Sequence, residues 1–194
     1  MIGDERTAVS DMVARAWKSP FHAALLLSLS VFLWLSCHTA SAGTVLREAD
    51  VLEVNDGDTV TLEFDNRVYR TRLIGIDAPE MGQRPWGRKA KDHLTAIMRH
   101  SDWTVSVETD VVTHDKYDRL LGYLWTKQNE LINEQMILDG YAVLFTIQPN
   151  SKYADRFRRA QQAAREKKAG IWGPKGLKER PLDYKKAHPR NERR

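Results

Sequence analysis

The stretch that decides the fold is NDGDTVTLEFDNRVYRTRLIGIDAPE, residues 55–80. Within it Thr59 to Phe64 alternates, setting Val60, Leu62 and Phe64 on one side, the pattern of a half-buried strand. Asp56-Gly57-Asp58 ahead of it and Asp65-Asn66 behind it are turn chemistry, because Asp, Asn and Gly tolerate tight backbone reversals. Tyr69 to Ile76 reads as the returning strand. It ends at Asp77-Ala78-Pro79, where proline has no N–H to continue the ladder.

Outward from this hairpin, Trp103 to Glu108 and Leu120 to Trp125 are further strand candidates, and short strands separated by turns point to a small barrel. Helical spacing interrupts them. Arg88 to Arg99 puts Ala90, Leu94, Ile97 and Met98 on one stripe. Asn129 to Asp139 reads as a shorter helix capped by Gly140. Asn150-Ser151 is placed to cap a third helix reaching Ala169, with Phe157, Ala160 and Ala164 on its buried face. Trp172 is expected to fold back as an anchor. Strands with helices packed outside them make the expected class α+β.

The charge is unevenly laid out. The chain has 194 residues, 30 Lys plus Arg, 26 Asp plus Glu and a formal net charge of +4. Residues 1–42 are neutral overall, 43–150 carry −6, and 151–194 carry +10. A hydrophobic content of 42% with 29% charged residues is a globular composition and excludes a disordered or collagenous chain. One cysteine, Cys37, excludes an intrachain disulfide framework and a cysteine-based zinc site.

The apolar run from Ala23 to Ser36 is too short for a membrane span of roughly 20 residues, but has the length of a secretory signal's core. Arg15 and Lys18 precede it and Ala40-Ser41-Ala42 follows, so cleavage is expected after Ala42 and the protein is expected to be exported, periplasmic or secreted. The alternative is an uncleaved anchor, which would be the chain's only membrane attachment. Three parts are therefore expected: a leader or anchor at 1–42, a folded domain at 43–173, and a mobile basic tail at 174–194.

Four segments concentrate charge at strand ends and turns: Asp56 to Val60, Arg72 to Glu80, Gly87 to Ala90, and Asp115 to Arg119. Each alone is explained by a turn or a solvated face. Together they suit hydrolysis of a phosphodiester, which needs a hard cation, an activated water and fixed positive charge for the phosphoryl oxygens. Asp58 and Asp77 are oxygen donors without His or Cys companions, so Ca²⁺ or Mg²⁺ fits better than zinc. Glu80, on a proline-stiffened turn, can orient or deprotonate water. Arg72 and Arg119 offer the planar fork that meets phosphate bidentately. The six histidines show no ligand spacing, and no Ser-His-Asp or Cys-His set competes.

The order and content of Asp56-Gly-Asp-Thr-Val60, Arg72-x4-Asp77-x-Pro79-Glu80 and Asp115-Lys-Tyr-x-Arg119 resemble the staphylococcal nuclease (thermonuclease) family in its exported bacterial form. The likeness runs from about Thr44 to Trp172 and extends to Gly140-Tyr-Ala142 and Gly170-Ile-Trp172. It implies a five-stranded OB-type β-barrel with about three helices, and a Ca²⁺-dependent (or Mg²⁺-dependent), sugar-nonspecific nuclease cleaving DNA and RNA. It implies that Asp58, Asp77 and the backbone carbonyl of Ala78 ligate the metal, and that Asp56 supports the metal loop. Glu80 is then the general base, Arg72 and Arg119 bind the scissile phosphate, and Lys116 and Tyr117 line the nucleotide pocket.

Three positions depart from the family pattern. Ala78 replaces a threonine, which a carbonyl ligand survives. Asp118 stands where glycine is common, which requires a left-handed aspartate. A tyrosine expected before the last helix appears as Phe145, which keeps stacking but loses the phenolic hydrogen bond. No obligate protein partner is expected and the chain reads as a monomer. Two other readings fit parts of the pattern: a non-catalytic OB-fold module binding nucleic acid or protein, and a nuclease held at an anionic surface by its basic tail.

Overall fold

The computed structural model describes residues 46–189. Five strands close a barrel in the order β1-β2-β3-β6-β5, with β1 at Arg47–Val54, β2 at Thr59–Phe64, β3 at Arg67–Leu73, β5 at Thr104–Glu108 and β6 at Leu120–Trp125. All neighbours are antiparallel except β3 and β6, which run parallel from the Thr71–Leu120 pair to Leu73–Gly122. Among the described residues four helices pack with the barrel: α1 at Trp86–His100, α2 at Ile132–Leu138, α3 at Ala154–Glu166 and α4 at Pro181–Ala187. This is the expected α+β barrel, with one helix more than expected.

Val60 and Leu62 point inward from β2, as alternation requires, and are fully buried together with Leu73, Leu94, Met98 and Leu124. Each such side chain contributes about 1.5–3 kcal/mol of burial free energy relative to exposure. The helix stripes behave likewise: Ala90, Leu94, Ile97 and Met98 of α1 and Phe157, Ala160 and Ala164 of α3 all face the core. Asn133 of α2 is buried and fully used. Its side chain accepts from the Leu124 amide and donates to the Ile74 and Gly122 carbonyls, which fastens the helix to the ends of β3 and β6.

The returning strand does not run unbroken to Ile76. Gly75 takes φ +81°, and a Cβ there would lie 2.6 Å from the Phe157 ring, so only glycine fits. The chain therefore leaves the barrel after Leu73, and β4 (Ile76–Asp77) pairs instead with β7 (Val143–Leu144). That turn is what delivers Asp77 to the mouth of the barrel.

Other expectations shift as well. Trp103 lies outside β5, in a left-handed turn at φ 57° that follows α1. α3 begins at Ala154 with no side-chain cap. Asn150 does not cap it. Its side chain instead accepts from the Val112 amide and donates to the Val112 carbonyl, tying together two loops at the barrel mouth.

The segment expected as a mobile tail is largely built into the structure. Leu177 donates its amide to the Ile171 carbonyl, Trp86 Nε1 donates to the Lys175 carbonyl at 3.2 Å, and Gln83 Nε2 donates to the Glu179 carbonyl at 2.9 Å. Pro181, at the first turn of α4, is buried. Trp172 folds back as expected, under the Arg165 guanidinium at 4.4 Å. The apolar leader, Cys37 and the cleavage point after Ala42 lie outside the described residues. Among the described residues no helix is long and apolar enough to cross a membrane.

Candidate active site

Three turns meet at one end of the barrel. The first follows β1. Asp56 Oδ1 accepts the Asp58 amide at 3.0 Å, an Asx turn that aims the buried Asp58 side chain inward. The second follows β4, where the Ala78 amide donates to Asp58 Oδ2 at 2.8 Å and so locks the two turns together. Gly57 permits this approach, since a Cβ there would stand 2.7 Å from both Ala78 Cβ and Ala90 Cβ.

Arg72 crosses from β3 between the two aspartates. Its Nη2 lies 3.0 Å from Asp58 Oδ2 and 3.4 Å from Asp77 Oδ1, and it also donates to the Ile76 carbonyl at 2.9 Å. Nη1 donates to the Leu73 carbonyl at 3.0 Å. The planar fork thus meets several acceptors at once, which a lysine could not do. Asp77 is 2% exposed, and its second oxygen, Oδ2, is buried without a hydrogen-bond partner.

These surroundings separate the carboxylates electrically. Burial, and next the charge of Asp58, push the Asp56 carboxyl up to about 6. Burial would raise Asp58 too, but Arg72, Lys185 and the Ala78 amide outweigh it and hold that carboxyl below the usual range. Burial also raises Asp77, against the pull of Lys185.

Glu80 sits on the turn after Pro79, its backbone fixed by a reciprocal pair: the Glu80 amide donates to Gln83 Oε1 and the Gln83 amide to the Glu80 carbonyl. Its carboxylate reaches Lys185 Nζ of α4 at 3.0 Å, and the same ammonium lies 2.6 Å from Asp77 Oδ1. The metal-ligand candidate and the base candidate therefore converge on one point of positive charge.

The third turn carries Asp115 and Arg119. Asp115 Oδ1 accepts the amides of Tyr117 and Arg119, while Oδ2 pairs with the Arg119 guanidinium at 2.6–2.7 Å. Arg119 and these amides hold the Asp115 carboxyl low, although burial alone would raise it. Asp118 takes φ 58°, the left-handed conformation that the missing glycine demands. Tyr117 is exposed, with the Arg119 guanidinium 5.6 Å and the Lys116 ammonium 4.8 Å from its ring.

Asp56, Asp58, Arg72, Asp77, Glu80, Tyr117 and Arg119 all line one cleft of about 1050 Å³. Ala78 lies directly behind the aspartates. Lys116 stands outside the lining and reaches the cleft only through Tyr117. Phe145 and Ile147 form part of the apolar wall. Leu182, Tyr184, Lys185, His188 and Pro189 also line the cleft, and no local sequence signal marked them. Asp115 was visible inside its motif, but its grip on Arg119 depends on the fold of the turn.

The donor chemistry suits a hard cation. Two adjacent buried carboxylates are present, and one of them has an oxygen with no partner. Among the described residues no group of three or more His, Cys, Asp or Glu side chains converges on a point. An ion here would complete its shell with a carbonyl, such as that of Ala78, and with water.

Comparison with known proteins agrees with this geometry. The family model described as staphylococcal nuclease homologue matches residues 70–174. The protein named Thermonuclease from Staphylococcus hyicus is 34% identical over 131 residues, covering 63% of this chain and 73% of that relative. Thermonuclease from Staphylococcus intermedius is 35% identical over 131 residues, with 63% and 74% covered. Endonuclease YhcR from Bacillus subtilis is 30% identical over 152 residues, 71% of this chain but 12% of that much longer protein. With the barrel, the three turns and these matches in agreement, the chain belongs to the staphylococcal nuclease family.

Proposed function

We propose that this nuclease-family protein hydrolyses phosphodiester bonds of both DNA and RNA with the help of a divalent cation, Ca²⁺ or Mg²⁺. The observation that carries the reading is the buried pair Asp58 and Asp77, held side by side by Arg72, with Asp77 Oδ2 left without a partner. When bound, the cation supplies charge neutralisation at the scissile phosphate. Asp58, Asp77 and the Ala78 carbonyl would hold it.

The chain's own groups divide the remaining work. Glu80, on its rigid turn, takes the proton of the attacking water. Arg119 faces the cleft with an exposed tyrosine beside it and meets the developing charge on the phosphoryl oxygens. Arg72 is spent mainly on two carboxylates and three carbonyls, so it positions the acids first and contacts phosphate second. Tyr117 and Phe145 present ring faces on which bases of either sugar type can stack, which supports tolerance of DNA and RNA. Export of the chain, through the segment before residue 43, belongs to the same reading.

The test is release of acid-soluble nucleotides from denatured DNA and from RNA, with Ca²⁺, with Mg²⁺ and with excess chelator. Activity in one of the metals and none with chelator is expected. Equal activity with chelator would overturn the metal requirement. Tight DNA binding with no cleavage in any condition would favour the binding-module reading instead.

A further inference from the structure

The cleft has a wall that the chemistry above does not use. From Pro174 onward the chain crosses the Glu80 turn and lays α4 over the acidic end of the cleft. The crossing is anchored at separate points. Trp86 and Gln83, which flank α1's start, bind the Lys175 and Glu179 carbonyls. Gly82 makes room for Tyr184, since a Cβ there would lie 2.3 Å from the Tyr184 hydroxyl. Tyr184 in turn stacks on His188, with centroids 4.1 Å apart. These contacts fix the helix so that Lys185, 108 residues from Asp77 in sequence, projects its ammonium between Asp77 Oδ1 at 2.6 Å and Glu80 Oε1 at 3.0 Å.

We propose that α4 is an autoinhibitory strap whose Lys185 ammonium, seated on the Asp77 carboxylate, competes with a divalent cation held by Asp58 and Asp77. The inference rests on the metal-site reading above. A single charge on a tether and a free divalent ion are drawn to the same Asp77 carboxylate, and two cations crowded on one carboxylate repel each other. The tether gives the ammonium a high effective concentration, so the free ion has to exceed a threshold before it displaces the lysine. Lys185 also neutralises the buried aspartates when no ion is bound, which removes the cost of leaving them uncompensated. Once displaced, α4 uncovers the cleft wall on its own side, so cation binding and substrate access are linked.

Calcium binding to the full-length chain, measured by titration calorimetry, separates the outcomes. Lys185→Met is expected to bind Ca²⁺ at least tenfold more tightly than the native chain. Lys185→Arg, which keeps the charge, is expected to stay within about threefold of native. Unchanged or weaker binding in Lys185→Met overturns the strap while leaving the metal site standing. No Ca²⁺ binding in either protein overturns the metal site, and the strap with it. Hydrogen exchange on the native chain gives an independent readout. Saturating Ca²⁺ is expected to raise amide exchange across residues 181–187. Bound Ca²⁺ with exchange there unchanged would show that the ion and the lysine coexist, which overturns the competition.

Discussion

Gly57 and Ala78 stand so close that a single methyl group on Gly57 would come within 2.7 Å of the Ala78 side chain. The two residues belong to the turns that carry Asp58 and Asp77, and the Ala78 amide binds Asp58 directly. The spacing of the two acids is therefore set by the absence of a side chain, not by a contact between carboxylates. Gly57→Ala is expected to force the turns apart, because Ala90 blocks escape on the other side at the same distance. Overpacking of this kind costs about 1–3 kcal/mol. Urea unfolding should report that loss, and nuclease kcat should fall by tenfold or more. Gly57→Ala combined with Ala78→Gly is expected to recover part of both.

Arg72 has a structural duty apart from the phosphate contact proposed for it. It is 12% exposed and compensates two buried acids. Lys185, the other cation there, comes from α4 and leaves when the strap opens. Arg72→Met should thus destabilise the fold by about 3–5 kcal/mol, the usual loss when one member of a buried ion pair is removed. Arg72→Lys keeps the charge but loses the fork, so an intermediate loss is expected. Denaturant midpoints measured in chelator check both, free of any contribution from bound metal.

Much of this architecture was legible along the chain because local chemistry specified it. β2 alternates between turn residues and β6 is a short apolar run, so the limits of both match the pattern reading. The acids and arginines sit at strand ends and turns, as their place in the sequence pattern indicates, although Asp58 and Asp77 are buried there. β1 was not legible. Its register shifts between Val51 and Glu53, and that bulge breaks the alternation, giving the mixed burial order of Arg47–Val54. Asn150 read as a cap because a capping residue and a loop bridge have the same composition. Lys185 carried no signal. A lysine-rich, proline-containing terminus looks solvated until the distant Gln83, Trp86 and Asp77 are seen to hold it.

Two carboxyls should give opposite responses to pH. For Asp56, burial raises the folded-state value to about 6, above its ordinary 3.8. A raised acid favours the folded state below about pH 4, and this contribution is lost as pH rises through 6. Asp56→Asn, which keeps an oxygen for the Asp58 amide, should therefore become more stable than native as pH climbs from 4 to 7 in chelator. Asp115 is lowered by Arg119 and the turn amides despite burial. Its contribution is present above the ordinary carboxylate value and is lost as pH falls below it. The Tyr117 and Arg119 amides should then lose protection, measured against their intrinsic exchange rates, as pH falls below the ordinary carboxylate range, and Asp115→Asn should abolish that acid-induced change. Thermal melts and hydrogen exchange across pH 3–8 check the two signs separately.

Glu80 offers the most direct separation of binding from chemistry. Its backbone is pinned by Gln83, and its carboxylate meets Lys185, so replacing the acid by the amide leaves the turn's reciprocal hydrogen bonds intact. Glu80→Gln keeps the shape but cannot accept a proton from water. The expected result is a kcat lower by several orders of magnitude with KM for DNA within about threefold of native. The same substitution removes one of the carboxylates facing Lys185, so the strap should release more readily and amide exchange in α4 should rise even without metal. A large drop in kcat with α4 exchange unchanged would assign Glu80 to the reaction alone. A rise in exchange with kcat intact would assign it to the strap alone. Both changes together are expected, because one carboxylate serves the water and the lysine in turn.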